Sequence, residues 1–81
     1  MKVRVTVLPK ASVLDPQGVA IRNTLRQLGL TGASSVRAGK VLEIELEGAS
    51  PEDADLRQRL EEATRDFLSN PVIEDYRIEV L

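Results

Sequence analysis

The sequence predicts an α+β domain over residues 1–81, with the element order β-α-β-β-α-β. Three observations lead to this prediction. Several short stretches alternate apolar and polar residues, which is typical of half-buried strands. Two longer stretches carry apolar residues three or four positions apart, which is typical of amphipathic helices. Each of these longer stretches follows an acidic or hydroxyl residue and a proline, a common way for a helix to begin.

The first strand is predicted over Lys2–Leu8, and Pro9 ends it because proline cannot donate to a strand ladder. Asp15 is suited to accept hydrogen bonds from the first turn of a helix that begins at Pro16. Gly29 ends this helix, since glycine adopts a left-handed conformation easily. The apolar stripe of the helix comprises Ile21, Leu25 and Leu28.

Two further strands are predicted over Val36–Ala38 and Val41–Glu47, with a hairpin at Gly39-Lys40. A second helix follows, with Ser50 as its cap and Pro51 as its first residue. It ends before Pro71, because a residue that precedes proline is disfavoured in the helical region. The apolar stripe of this helix comprises Leu56, Leu60, Ala63 and Phe67.

The last strand is predicted over Val72–Leu81, with Tyr76 on its apolar face. Right-handed crossovers then give one antiparallel sheet in the order 4-1-3-2 with both helices on one face, a ferredoxin-like fold. The only two aromatic side chains, Phe67 and Tyr76, are both predicted to lie in the core. Strands 1 and 3 are expected to be neighbours, with basic residues opposite acidic ones: Lys2 and Arg4 against Glu43, Glu45 and Glu47.

The composition excludes or disfavours several classes of function. The chain has no cysteine and no histidine, so it lacks thiolate chemistry and the commonest general base and metal ligand. Eleven basic and thirteen acidic residues give a net charge of −2, which does not favour nucleic acid or an anionic membrane. No stretch is apolar enough for a membrane span or a signal peptide, so a cytoplasmic protein is expected.

Three stretches are candidate sites, and each also has a purely structural interpretation. Asp15-Pro16-Gln17-Gly18 is either a helix start or a docking or anion site, with Lys10 nearby. The acidic row of the third strand is either a solvated face or a cation site. Residues 70–76 form either a helix stop and turn or a contact surface built on that turn.

No set of residues indicates catalysis, because the carboxylates show no spacing that marks an acid/base pair. An acylphosphatase of this architecture places an arginine in the loop after the first strand, and the loop PKASVLDP has none. RNA-binding versions stack bases on sheet aromatics, and the presence of only two aromatic residues together with an acidic central strand argues against this function. Association through an open sheet edge or face is expected instead.

Five segments, read in order, resemble the PurS family of phosphoribosylformylglycinamidine (FGAM) synthase small subunits. They are VRVTVLPK, VLDPQG, a helix ending QLGL, SSVRAGKVLEIEL and LSNPVIEDYRIEV, and they cover almost the whole chain. The resemblance implies a non-catalytic subunit of a complex in purine biosynthesis. In that family a glutaminase subunit releases ammonia, and a synthetase subunit uses ATP and magnesium to convert formylglycinamide ribonucleotide to formylglycinamidine ribonucleotide.

By the same resemblance, the small subunit bridges the other two subunits and assists ammonia transfer. The resemblance implies a homodimer, and a tetramer of the isolated subunit is the alternative. It implies no cofactor, metal or catalytic residue in this subunit. The residues expected to contact partners or to shape the loops are Pro9, Lys10, Asp15, Pro16, Gln17, Gly18, Asn70, Pro71, Glu74, Asp75 and Tyr76. Two other functions stay open from the residues alone: a dimeric small-molecule sensor of the ACT type, and a stand-alone hydrolase of acyl phosphates.

Overall fold

A computed structural model describes all 81 residues of the chain as three strands and two helices. The α+β class is thereby confirmed. The strands are β1 (Lys2–Pro9), β2 (Lys40–Glu45) and β3 (Glu74–Val80). The helices are α1 (Pro16–Gln27) and α2 (Ala54–Ala63), and α2 continues into a π-helical turn at Thr64–Leu68.

The three strands form an antiparallel sheet in the order β2-β1-β3, with β1 in the centre. The predicted neighbours of the first strand are therefore confirmed. Arg4 lies opposite Glu43 on β2, and their side chains form an ion pair of 3.1 Å. Lys2 lies opposite Glu45 in the same register. Opposite charges across a strand pair help to fix that register.

The prediction of a strand at Val36–Ala38, the second of four, is wrong, because these residues pair with no strand and the sheet has three strands. Other partners take up the polar groups of this segment. The Ala38 amide donates to the Asp15 carboxylate at 2.9 Å, and the Arg37 guanidinium donates to the Pro9 carbonyl at 3.2 Å. The segment thus connects the start of α1 to the end of β1 instead of forming a hairpin with β2.

The core is small and lies on one face of β1. Val3, Val5 and Val7 are the only hydrophobic side chains that are buried, and all three are fully buried. Leu60 of α2 and Leu68 of the π turn pack against them, whereas no residue of α1 does. The prediction that both helices cover the sheet is therefore wrong for α1.

The overall shape follows from this arrangement. The chain measures 49 × 24 × 14 Å and has a radius of gyration of 16.1 Å. A compact domain of this length has a radius of gyration of about 12 Å. The protomer is thus elongated, and α1 extends away from the valine core.

The second helix departs from prediction at its start. Asp53, not Ser50, is its cap, since the Asp53 carboxylate accepts from the amides of Asp55 at 3.1 Å and Leu56 at 3.2 Å. Ser50 instead stabilises the preceding turn, where its hydroxyl oxygen accepts from the Glu52 amide. Both residue types are good caps, so the pattern alone did not distinguish them.

The predicted core position of Phe67 is also wrong, because its side chain is 84% exposed. The Ser69 amide donates to the Thr64 carbonyl at 2.9 Å, five residues back, which is the bond of a π turn. The wider turn changes the phase of the side chains. Leu68 therefore packs on the valines, while Thr64 is buried and donates its hydroxyl to the Leu60 carbonyl.

Asp15 stands at the N-cap position of α1, yet its side chain forms no capping hydrogen bond. The bond from Ala38 is the largest cause that holds the pKa of Asp15 below its ordinary value, and the amides of Gly18 and Gln17 lower it further. Partial burial opposes these effects. The carboxylate is therefore the stable form, and it ties the 36–38 segment to α1.

We expect Gly39→Ala and Gly18→Ala each to destabilise the protein by about 1–3 kcal/mol, as overpacking does. A Cβ at Gly39 would overlap the Val7 carbonyl oxygen, and one at Gly18 would overlap that of Val36. Gly32→Ala is the control, because nothing lies within 4 Å of its added carbon. Urea unfolding of the three variants measures the effect. Equal stability of all three would contradict the close backbone approach.

We expect the stability of the wild-type protein to fall as the pH drops below about 4, and part of that fall to vanish in Asp15→Asn. The native pKa of Asp15 is lowered from 3.8, so its stabilisation is complete above that value and is lost as the pH falls through the native pKa. Urea unfolding between pH 6 and pH 2.5 measures this. Glu52→Gln, which removes a carboxylate that forms no ion pair, is the matched control. Identical pH profiles for wild type and Asp15→Asn would contradict the assigned role.

Candidate interaction surface

The predicted site residues fall into two groups in the structure. The first group lies where β1 ends and β3 begins, because Pro9 is opposite Glu74 in the antiparallel register. The Lys10 amide donates to the Ile73 carbonyl at 2.9 Å, and the Lys10 ammonium pairs with the Asp75 carboxylate at 3.0 Å. We call this group the sheet-end surface; it comprises Pro9, Lys10, Asn70, Pro71, Glu74, Asp75 and Tyr76.

Within the sheet-end surface, Asn70 and Glu74 shape the turn. The Asn70 side-chain oxygen accepts from the Val72 amide at 3.1 Å, and the Glu74 carboxylate accepts from the Asn70 amide at 2.7 Å. The Glu74 amide in turn donates to the Asn70 carbonyl at 2.7 Å. These polar groups are used inside the loop, whereas Pro71 and the paired Lys10 and Asp75 side chains are open to contact.

Tyr76 connects the sheet-end surface to α2. Its ring is half-buried against the valine core, as predicted for this aromatic residue, and its hydroxyl donates to the Glu61 carboxylate. This hydrogen bond, followed by burial, raises the pKa of Tyr76 above its ordinary value. The phenol therefore stays protonated at neutral pH and acts as a fixed donor.

The second group lies at the start of α1. Pro16 and Gln17 are exposed, while Gly18 is buried against the Val36 backbone. Asp15 accepts from Ala38, as described above. Pro16 and Gln17 thus offer side chains to a partner, and the other two residues hold the loop in place.

A cleft of about 290 Å³ lies beside the second group, between the loop after β1, the first turns of α1 and residues 34–37. Arg22 and Arg37 line it, together with the serines at positions 34 and 35. We call it the Arg22–Arg37 cleft. No sequence pattern indicates this cleft, since Arg22 is only a polar residue of an amphipathic helix and Arg37 only a residue next to the predicted hairpin.

The surface also carries large apolar side chains that nothing covers. Leu14, Leu28 and Val72 are each more than three-quarters exposed, as is Phe67. These side chains are open to contact with a partner protein. No group of three or more histidine, cysteine or acidic side chains could hold a metal ion, and no helix is both long and apolar enough to cross a membrane.

Comparisons with known proteins agree on one family. The family model described as phosphoribosylformylglycinamidine (FGAM) synthase, PurS, matches residues 2–81. The PurS subunit of Bacillus subtilis is 43% identical over 79 residues, which cover 98% of this chain and 90% of that protein. The PurS subunit of a Synechocystis strain is 43% identical over 77 residues, which cover 95% of this chain and 75% of that protein.

Solved structures give the same result. Bacillus subtilis PurS superposes with a TM-score of 0.77 at 42% identity, covering 96% of this chain and 94% of that one. A chain of the PurLQS structure from Thermotoga maritima superposes with a TM-score of 0.81 at 29% identity, covering 99% of this chain and 95% of that one. The chain therefore belongs to the PurS family, whose members are subunits of FGAM synthase in purine biosynthesis.

Proposed function

We propose that this chain is the non-catalytic small subunit that bridges the glutaminase and synthetase subunits of FGAM synthase and assists ammonia transfer between them. The observation that carries the proposal is the elongated protomer with its uncovered apolar surfaces. The chain buries only three hydrophobic side chains by itself, so association with other subunits is expected to increase its stability. The Thermotoga maritima relative belongs to a PurLQS structure, which supports such an assembly.

We propose that the working unit of the protein is a homodimer. The apolar stripe of α1 has no partner within the protomer: Leu28 is 76% exposed and Ile21 is 37% exposed. Leu30, just beyond the helix, is 58% exposed. A second copy that covers this stripe supplies the packing that the sheet of the same protomer does not provide.

In this role the subunit needs no reactive group. Ammonia protonates in water at neutral pH and then loses its nucleophilicity, so a path that excludes water preserves it. ATP and magnesium act in the synthetase subunit, and this subunit holds neither. The complex works in the cytoplasm. Pro9, Lys10, Pro16 and Gln17 are proposed to contact the other subunits.

Omission of this subunit from a reconstituted complex is expected to abolish most glutamine-dependent FGAM synthesis. The purified synthetase and glutaminase subunits are assayed with and without it, at saturating ATP and magnesium. Synthesis from a high concentration of ammonium chloride is the control, because it needs no transfer between subunits and is expected to persist. Full glutamine-dependent synthesis without the subunit would refute the proposal.

Leu28→Glu is expected to weaken the homodimer at least about a hundredfold. A two-fold interface buries the residue twice, and each buried leucine contributes about 1.5–3 kcal/mol. Because Leu28 is exposed in the protomer, its replacement leaves the fold intact. Gln27→Glu adds the same charge at the adjacent exposed position and is the control. Sedimentation equilibrium measures both; a dimer that is indifferent to Leu28→Glu would contradict the assigned interface.

A further inference from the structure

Two arginines line the Arg22–Arg37 cleft, and most of their guanidinium donors form no hydrogen bond within the protomer. The buried Nε of Arg22 has no hydrogen-bond partner, and its Nη2 reaches only the neighbouring Asn23 side chain, at 3.3 Å. Arg37 donates from Nη1 to the Pro9 carbonyl. Since each guanidinium has five N–H donors, both groups can donate further hydrogen bonds to a ligand.

No acidic side chain of the chain itself neutralises these two arginines. The structure has five ion pairs, and their basic members are Arg4, Lys10, Arg59, Arg65 and Arg77. The only carboxylate in the lining of the cleft is Asp15. Its hydrogen bond comes from the Ala38 amide, not from an arginine. The cleft therefore offers a net positive charge in a protein whose overall charge is negative.

The positions of the arginines are fixed by the backbone around them. Arg22 lies two turns into α1 and lines the cleft, and the Nε of its side chain is buried. Arg37 lies between Val36, whose carbonyl packs on Gly18, and Ala38, whose amide is bound by Asp15. Such preorganised donors bind a planar carboxylate at a low entropic cost, because an arginine fork matches its geometry.

The size and lining of the cleft indicate the chemical class of ligand that it binds. A volume of about 290 Å³ is at the lower limit for pockets that enclose a drug-sized molecule. Apolar side chains, including Val13, Leu14 and Val19, line it beside the charges. An acidic side chain that projects from a folded partner brings apolar neighbours to cover these residues, whereas a free inorganic anion does not.

We propose that the Arg22–Arg37 cleft is a docking site for an aspartate or glutamate side chain of another subunit of FGAM synthase. This inference rests on the proposed bridging function and names a contact within it. The carboxylate bridges the two guanidinium groups, and apolar residues of the same partner loop cover Leu14 at the rim. A second copy of this chain and a free anion are the competing occupants.

The test measures binding of the subunit to the purified synthetase and glutaminase subunits by sedimentation velocity at about 150 mM salt. The double variant Arg22→Gln/Arg37→Gln is expected to bind at least about tenfold more weakly, as loss of a buried charge partner does. Arg22→Lys/Arg37→Lys keeps the charge but loses the planar forks, so an intermediate loss is expected. Glutamine-dependent synthesis at limiting subunit falls in parallel and recovers when the variant is added in excess.

The control is Arg26→Gln/Arg57→Gln, which removes two exposed arginines that form no ion pair and gives the same net charge. It is expected to bind within about twofold of wild type. Circular dichroism and sedimentation equilibrium of each isolated variant report its fold and its dimer. An unchanged fold and dimer, together with the loss of binding, supports the proposal.

Three results would overturn it. Wild-type binding by the glutamine double variant would show that the arginines do not contact a subunit. Dissociation of its isolated dimer would assign the cleft to a second copy. Calorimetric binding of inorganic phosphate or acetate to the isolated wild-type protein, without effect on assembly, would make it a small-anion site. If the wild-type subunit itself fails to assemble, the bridging function fails as well, so the two failures are distinguishable.

Discussion

The structure depends on the burial of three valines on the central strand. Val3, Val5 and Val7 lie on one face of β1, between two antiparallel neighbours and beneath α2. They are the only hydrophobic side chains that the protomer buries. A chain of this length buries a limited share of its surface in any case, and here α1 adds nothing to the core. Large apolar side chains therefore remain exposed in the protomer and can be buried against other subunits. This is the physical basis of the proposed bridging role.

The sequence predicted the parts of the fold that follow from local periodicity. The alternation in β1 and β3, the proline start of α1 and the glycine that ends it were all recognisable, and the opposite charges of Arg4 and Glu43 indicated that their strands are neighbours. Gly29 adopts a positive φ of 101°, as expected of a helix stop. Apart from this pairing of two strands, these features depend on a few adjacent residues, so a short window of sequence contains their cause.

The failures arose where hydrogen bonds outside the regular strand and helix patterns determine the backbone. Val36–Ala38 did not become a strand because Asp15, more than twenty residues earlier, takes the Ala38 amide. Phe67 faces solvent because one hydrogen bond of π geometry at Thr64 rotates the end of the second helix. The Arg22–Arg37 cleft was also not predictable from sequence patterns, since only the folded loops bring these two residues together. The antiparallel register of β1 and β3 brings together the predicted site residues of the sheet-end surface. Arg37 donates to the Pro9 carbonyl of this surface, and the adjacent Ala38 donates to Asp15 at the start of α1.

Hydrogen exchange tests the central claim most directly. In the isolated subunit, diluted until only the protomer is present, the amides of β1 are expected to be strongly protected and those of α1 to exchange quickly, because α1 packs on no core. In the complex with the synthetase and glutaminase subunits, the protection of α1 is expected to rise by at least about an order of magnitude, with little change in β1. If α1 is protected as strongly as β1 in the dilute protomer, and gains nothing in the complex, the account is contradicted.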